Sequence, residues 1–531
     1  MQAMQRASRT CPLEPGTLPH RLSYFCCSSG LWPYLLRVSR APTRLEPARA
    51  ALVVKIAAWL LLSPGCLETG YVLRSDAESD PQAGQPPGGA AAGIAGESAG
   101  GGGAGTAGSP ADCEETFQSG VHFRVCAARY WGGSGDDTLR AVELGPGGEI
   151  WIAGDSDTSW DAPTLEVRPG AGVVARARAD GAIISVARVG GSVFDLALVA
   201  EGVVAATDEG LVALSPELSR VVAENPLGQV SRVAGSGERI VALTSDGRVV
   251  TMNESLGEAS ELGSADKQPE DVAIDATGRV AVTGFRQPAV GAMCLGRLPF
   301  IETYAATGEL LWNAYGFADA PGWCASSTGR RVVFRGDWLF YAGEQEGGNS
   351  VHQREPRDLS LPAPLVSYDD YSTSAGKAID EYSFVARFSV ADGTLETGQV
   401  IVPRDAERTG GTLFTSALAV DDGGRIFLGG RVSCCIEARE QRQVSGEPLG
   451  AFSGDEASLL ILSPDLRERV SWTSFTGSGL GSANIESIAV RGGVAALVGS
   501  VSAGSTLLVH PADAPGPNSG SEGYLVSFPA P

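Results

Sequence analysis

The sequence predicts an all-β protein, a seven-bladed β-propeller closed by pairing of its N- and C-terminal strands and preceded by a disordered leader and linker. Three observations carry that expectation. A strand–turn–strand unit recurs seven times between residues 141 and 499. From Cys113 onward helical periodicity is scarce and turn signals are frequent, which is the pattern of short sheet strands rather than packed helices. The last strand, GYLVSF at residues 523–528, supplies an apolar element that the first unit lacks. It is therefore expected to complete the N-terminal blade and close the ring, which removes an exposed sheet edge.

The clearest unit is YWGGSGDDTLRAVELGPGGEIWIAGDSDTSW at residues 130–160. Apolar residues alternate with polar or small ones on both sides of Pro146-Gly147-Gly148, giving a strand, a tight turn and a second strand. Side chains alternate along a strand, so Ile150 and Ile152 face one way and Trp151 the other. In the preceding breaker cluster, glycines allow positive φ and Asp136 and Asp137 can accept from backbone N–H groups. One hairpin cannot bury its apolar face alone, and repetition is the remedy. Residues 271–284, 417–430 and 488–499 repeat the unit clearly, and 196–207, 233–244 and 332–343 repeat it in worn form. Trp472 and the glycines after it parallel Trp131, and Trp312 parallels both more loosely. A third strand followed by a turn appears at 173–181, 384–393 and 459–465. At roughly 57 residues per unit there is room for four strands and loops, within the usual four to eight blades.

The strings GGSGDD…VELGPGGEIWIAG, IDATGRVAVTG and VDDGGRIFLGG resemble the bacterial β-propeller repeat family called SBBP, over residues 127–528. The resemblance implies a propeller and no particular activity. Where that family has Asn after the turn glycine, this chain has Glu149, Arg279 or Arg425.

Before the propeller the chain changes character three times. Residues 1–52 hold seven Arg and no Lys, with only Glu14 and Glu46 as acids and no periodicity. They read as a disordered leader or as sequence upstream of the true start. Residues 53–66, VVKIAAWLLLSPGC, read as a signal sequence with Lys55 at its positive end and an apolar core at 56–62. That core is too short for a membrane span of about 20 residues. Ser63-Pro64-Gly65-Cys66 resembles a bacterial lipobox, although Leu62 and Pro64 depart from the usual pattern. The resemblance implies a lipidated Cys66 and, with Leu67 following, an outer-membrane lipoprotein of the cell envelope, facing periplasm or surface. Residues 67–112 are a Gly- and Ala-rich flexible tether, and 113–531 form the propeller.

Composition narrows the partners. The net charge is −22, and so acidic a surface disfavours nucleic acid and anionic membranes, which need clustered cations. The membrane is expected to be reached only through the lipid anchor. Six cysteines follow Cys66, an even number that suits disulfides in an exported protein. The expected pairs are Cys113–Cys126 at the domain entrance and Cys294–Cys324 in the fifth blade's insertion. Cys434 and Cys435 are adjacent, and a vicinal bridge, other partners or free thiols all remain open.

Catalytic signals are sparse. His122, His352 and His510 are the only histidines beyond the leader, and no HExxH, GxSxG or P-loop occurs. No catalytic residue, metal ligand or cofactor is assigned. Asp155, Asp157 and Asp161 share one loop but lack an EF-hand's Gly and terminal Glu, and read as turn residues. Residues 305–312 resemble a single repeat of the pyrroloquinoline-quinone propellers, and Trp312 is read instead as an inter-blade packing residue. The longest gap between hairpins, residues 344–382, is polar and then acidic and aromatic. Long loops on rigid scaffolds often carry function, so Tyr368, Asp369, Asp370 and Tyr371 are the candidate ligand-binding residues. The expected role is a monomeric, non-catalytic binding or scaffolding module for a protein or glycan. The alternatives are a propeller hydrolase or lyase using channel-mouth carboxylates, and a structural envelope protein. Carboxylates of raised pKa converging on the channel mouth would favour the enzyme.

Overall fold

The computed structural model describes residues 122–131, 136–263, 267–288, 292–367, 381–404, 411–452, 454–476, 481–502, 507–508 and 520–531. Every hairpin read from the sequence is the inner pair of an antiparallel sheet in a β-propeller. The first blade comprises Thr138–Leu144, Ile150–Asp155, Gly172–Ala177 and Ile183–Gly190, with Thr164–Arg168 added in parallel as a fifth strand. The second begins with Val193–Val199 and Gly202–Thr207, the third with Val230–Ser236 and Arg239–Thr244, and the fourth with Gln268–Ile274 and Val280–Arg286. The fifth begins with Ser327–Arg335 and Trp338–Glu346, and the sixth with Leu413–Val420 and Ile426–Val432. The closing blade runs Ala483–Arg491, Val494–Ser502, Ser521–Pro529 and then Ala127–Trp131 from the other end of the chain. The first strand of each blade packs against the first strand of the next, all the way round.

Two expectations need correction. The count of seven gives way to eight sheets packed into the ring. The eighth is three-stranded: His122–Phe123 lies parallel to Gln443–Val444, which pairs with Glu447–Pro448. Phe123, Val444 and Leu449 are buried in the core shared by the sixth and closing blades. Its strands are two residues long and come from distant segments, so it has neither a repeat nor a hairpin signature. A further two-stranded ribbon, Arg354–Glu355 with Asp358–Pro362, is mostly exposed. The second correction concerns the blade frame. Ser521–Pro529 pairs with Val494–Ser502 and Ala127–Trp131, not with the first hairpin. The termini do meet, but the N-terminal strand completes the C-terminal blade.

Packing between blades explains the tryptophans. Trp131, Trp312 and Trp472 each lie on the outermost strand of their blade and are buried in a core that includes the adjacent blade. The hairpin glycines have a different cause. In each blade's first strand the register slips by one residue, a β-bulge opposite the end of the second strand. There the bulged strand crowds its partner. A Cβ on Gly154 would sit 1.9 Å from the Thr138 carbonyl oxygen, and one on Gly430 would sit 1.8 Å from that of Phe414.

Candidate functional site

Antiparallel pairing puts the start of each first strand, the end of each second and the start of each third at one end of the ring. Several long loops are second-to-third connections, so they gather on that face. Their described residues include 156–171, 287–288, 292–297, 347–367 and 433–452. Connections between first and second strands, on the opposite face, are tight turns. Arg279 and Arg425, each following a turn glycine, brace two of these. Arg425 reaches Asp421 at 2.6 Å and Arg279 reaches Asp275 at 2.7 Å.

At the centre of the insertion face, residues from five blades line a cavity of about 510 Å³. The bulged residues Glu270, Arg330, Ser416 and Glu486 reach it, as do Arg232 and Arg331, which follow bulges. Arg431, Asn484 and several serines complete the wall. The bulge therefore re-aims side chains at the mouth of the channel, a recurrent use of this irregularity.

Behind the mouth, charges alternate from blade to blade: Asp195, Arg232, Asp271 and Arg331 occupy the same position after the bulge in four successive first strands. Asp195 Oδ2 accepts from the Val233 N–H at 3.0 Å, and Asp271 Oδ2 from that of Val332 at 2.9 Å. Ser487 does the same for Val142 at 3.3 Å. Each bond joins a blade to the next. A second pairing joins blades at the rim. Asp155 takes Arg140 at 2.6 Å and the Val193 N–H at 3.1 Å, and Glu344 takes Arg330 at 2.7 Å and the Thr415 N–H at 2.9 Å. Asp155 is thus a structural residue, as its loop suggested. Asp136 likewise accepts from the Ser521 N–H at 3.1 Å.

Burial raises Glu143 to about 8, with Asp195 adding to the rise and Arg491 opposing it. It also raises Asp195, to about 6, against the pull of Arg232. Asp271 is raised by burial too. The direction is the one that would suit acid–base work, yet Asp195 and Asp271 already hold backbone of the neighbouring blade. Glu143, half-buried on the first strand, has a sign that can be worked out. Its folded pKa exceeds the ordinary 4.5, so its share of stability is full below that pH and is lost as pH rises towards 8. Glu143→Gln should match the parent near pH 5 and exceed it at pH 8–9, by a few kcal/mol at most, from about 1.4 kcal/mol per unit. Urea midpoints at the two pH values measure this, and equal differences at both would refute it.

The other sequence-derived candidates separate. Tyr368, Asp369, Asp370, Tyr371, Cys66 and Cys113 lie outside the described residues. Cys294 and Cys324 are bonded to each other, as are Cys434 and Cys435, and Cys126 is disulfide-bonded. His122 is exposed on an edge and His352 is fully buried within the fifth blade. Among the described residues no group of three or more His, Cys, Asp or Glu is placed to hold a metal ion. The channel-mouth arginines were missed. Aligning the repeats on the hairpin glycine would have found them, because the bulged residue follows the one paired with that glycine.

No family model matches the sequence, and no curated protein does. Among solved structures, the chain is similar to the β-propeller domain of Cps50 (Swd1) from Myceliophteria thermophila, at 10% identity and a TM-score of 0.40. The match covers 75% of this chain and 98% of that one. It is also similar to the computationally designed Ika8 protein, at 10% identity and a TM-score of 0.36, over 76% of this chain and 99% of that one.

Proposed function

We propose that the protein is a monomeric, non-catalytic binding module of the cell envelope, built from SBBP-type repeats and tethered through a lipid on Cys66. Its ligand is a glycan or protein that approaches the insertion face. The observation that carries this reading is the gathering of the long loops and the polar cavity on one face, with tight turns on the other. Rigid blades beneath adaptable loops are a common arrangement for recognition. Export is supported by the Cys294–Cys324 bridge, since disulfides persist in oxidising compartments. An enzyme is the competing reading, and the raised pKa of Glu143 is what favours it.

Two experiments test the proposal. Intact mass and membrane partitioning should find a mature chain beginning at acylated Cys66, and Cys66→Ala should release it from the membrane. A soluble chain retaining residues 1–52 would overturn the anchor. Capture of envelope glycans or proteins by the full chain should fall about tenfold or more when Tyr368, Asp369, Asp370 and Tyr371 are replaced by Ala, as for loss of a central binding cluster. Unchanged capture would remove that loop from the site.

A further inference from the structure

Among the described residues, Arg331 is the channel-mouth arginine that holds no carboxylate at ion-pair distance. Arg330 has Glu344 at 2.7 Å, Arg431 has Asp455 at 3.3 Å, and Arg232 has Asp271 at 3.9 Å. Arg331 forms no ion pair among the described residues, and its one hydrogen bond runs to the carbonyl of Arg330 at 2.7 Å. Burial and the nearby charge of Arg232 lower its pKa to about 10, and the carboxylates of Asp271 and Asp195 oppose the fall. A half-buried guanidinium with no carboxylate at ion-pair distance can take one from a ligand, holding it with two parallel bonds.

The rest of the wall suits hydroxyl groups. Ser416, Asn484 and Ser482 line the cavity with Glu486 and Glu270. Glu486 already accepts from the Asn484 side-chain amide at 2.8 Å, and a carboxylate retains further acceptor sites for neighbouring hydroxyls. A volume of about 510 Å³ admits one or two sugar rings and no folded partner, within the usual range for small-ligand sites.

We propose that the channel mouth binds a carboxylated sugar of the hexuronic acid type, its carboxylate on Arg331 and Arg232 and its hydroxyls on Glu486, Asn484 and Ser416. This deepens the binding reading above and rests on it. The ligand enters from the insertion face, where four arginines and three glutamates line the cavity.

Calorimetric titration of the full chain with galacturonate, galactose, galactosamine and inorganic phosphate tests the proposal. Galacturonate should bind, and galactose should bind at least about tenfold more weakly, as expected when a charge-assisted bidentate pair is absent. Equal binding of galactose, preference for galactosamine, or phosphate binding without galacturonate binding would each overturn the assignment. Arg331→Gln, with its fold checked by circular dichroism, should lose the galacturonate preference and leave any galactose binding unchanged. The comparison of sugars on the unaltered chain stands even if that variant does not fold. Failure to bind galacturonate while envelope capture persists overturns this inference alone. Loss of both overturns the binding reading as well.

Discussion

Arg439→Ala is expected to lower the unfolding free energy by about 3–5 kcal/mol, the range for breaking a buried ion pair from one side. Arg439 and Glu456 are 7% and 1% exposed. Their contact is bidentate, at 2.6 and 2.9 Å. The same guanidinium donates to the carbonyls of Leu449 at 3.0 Å and Gly450 at 3.1 Å. It thereby clasps residues 439–450, which include two strands of the eighth sheet, to the third strand of the sixth blade. Alanine leaves the Glu456 carboxylate buried without that guanidinium and two carbonyls without their donor. The double change Arg439→Met with Glu456→Leu should recover most of the loss, because two apolar groups of similar volume need no desolvated charge. Denaturant midpoints of the single and double variants measure both effects. A loss below about 1 kcal/mol for Arg439→Ala would place the pair among hydrated surface bridges, which contribute little.

The sequence disclosed what was local. Hairpins at residues 141–154, 271–284 and 417–430 were legible because a period of two and a Gly-containing turn are properties of a dozen adjacent residues. Cys294–Cys324 was expected from an even cysteine count, but the bond ties the fourth blade's second-to-third connection to the segment leading into the fifth blade, not an insertion of the fifth blade itself. The eighth sheet was not, since Phe123 meets Val444 only after the ring has closed and no pattern spans the intervening chain. The blade frame failed for a related reason. A cyclic repeat can be cut between any two strands, and only the pairing of Ala127–Trp131 with Ser521–Pro529 fixes the cut. The site lay between these cases. Gly154 and Gly430 mark the bulges in plain sight, but the bulged residues Glu270, Arg330 and Ser416 share no residue type. Their common address is geometric, set by a register slip that each copy fills differently. Asp195 and Asp271, just after the same slip, bind backbone of the neighbouring blade.

A pH effect of the opposite sign to that of Glu143 should come from His352. Its ring stacks on Phe384 at 4.4 Å, meets Tyr315 edge-on at 5.3 Å and bonds the Tyr341 hydroxyl through Nε2 at 2.9 Å. It lies on the short helical turn Val351–Gln353, whose Ser350 caps it through the His352 N–H at 3.1 Å. The imidazole thus pins the base of the long insertion into its blade. Burial lowers its pKa from 6.5 to about 3. The unfolded chain therefore binds a proton first as pH falls. Stability is full above pH 6.5 and is lost progressively towards pH 3, at about 1.4 kcal/mol per unit and about 4–5 kcal/mol over the window. His352→Phe leaves the Tyr341 hydroxyl without that partner, so at pH 7 it should cost about 1–3 kcal/mol. It also removes the proton uptake. The two stability curves should cross near pH 5, with the variant the more stable form below it. Other carboxylates titrate in both proteins, so the difference between the two curves isolates the histidine. Urea unfolding of parent and variant from pH 7 to pH 4 would show it. A difference constant across that range would mean that the imidazole takes up its proton without leaving the aromatic cluster, and that the insertion is held by its ribbon instead.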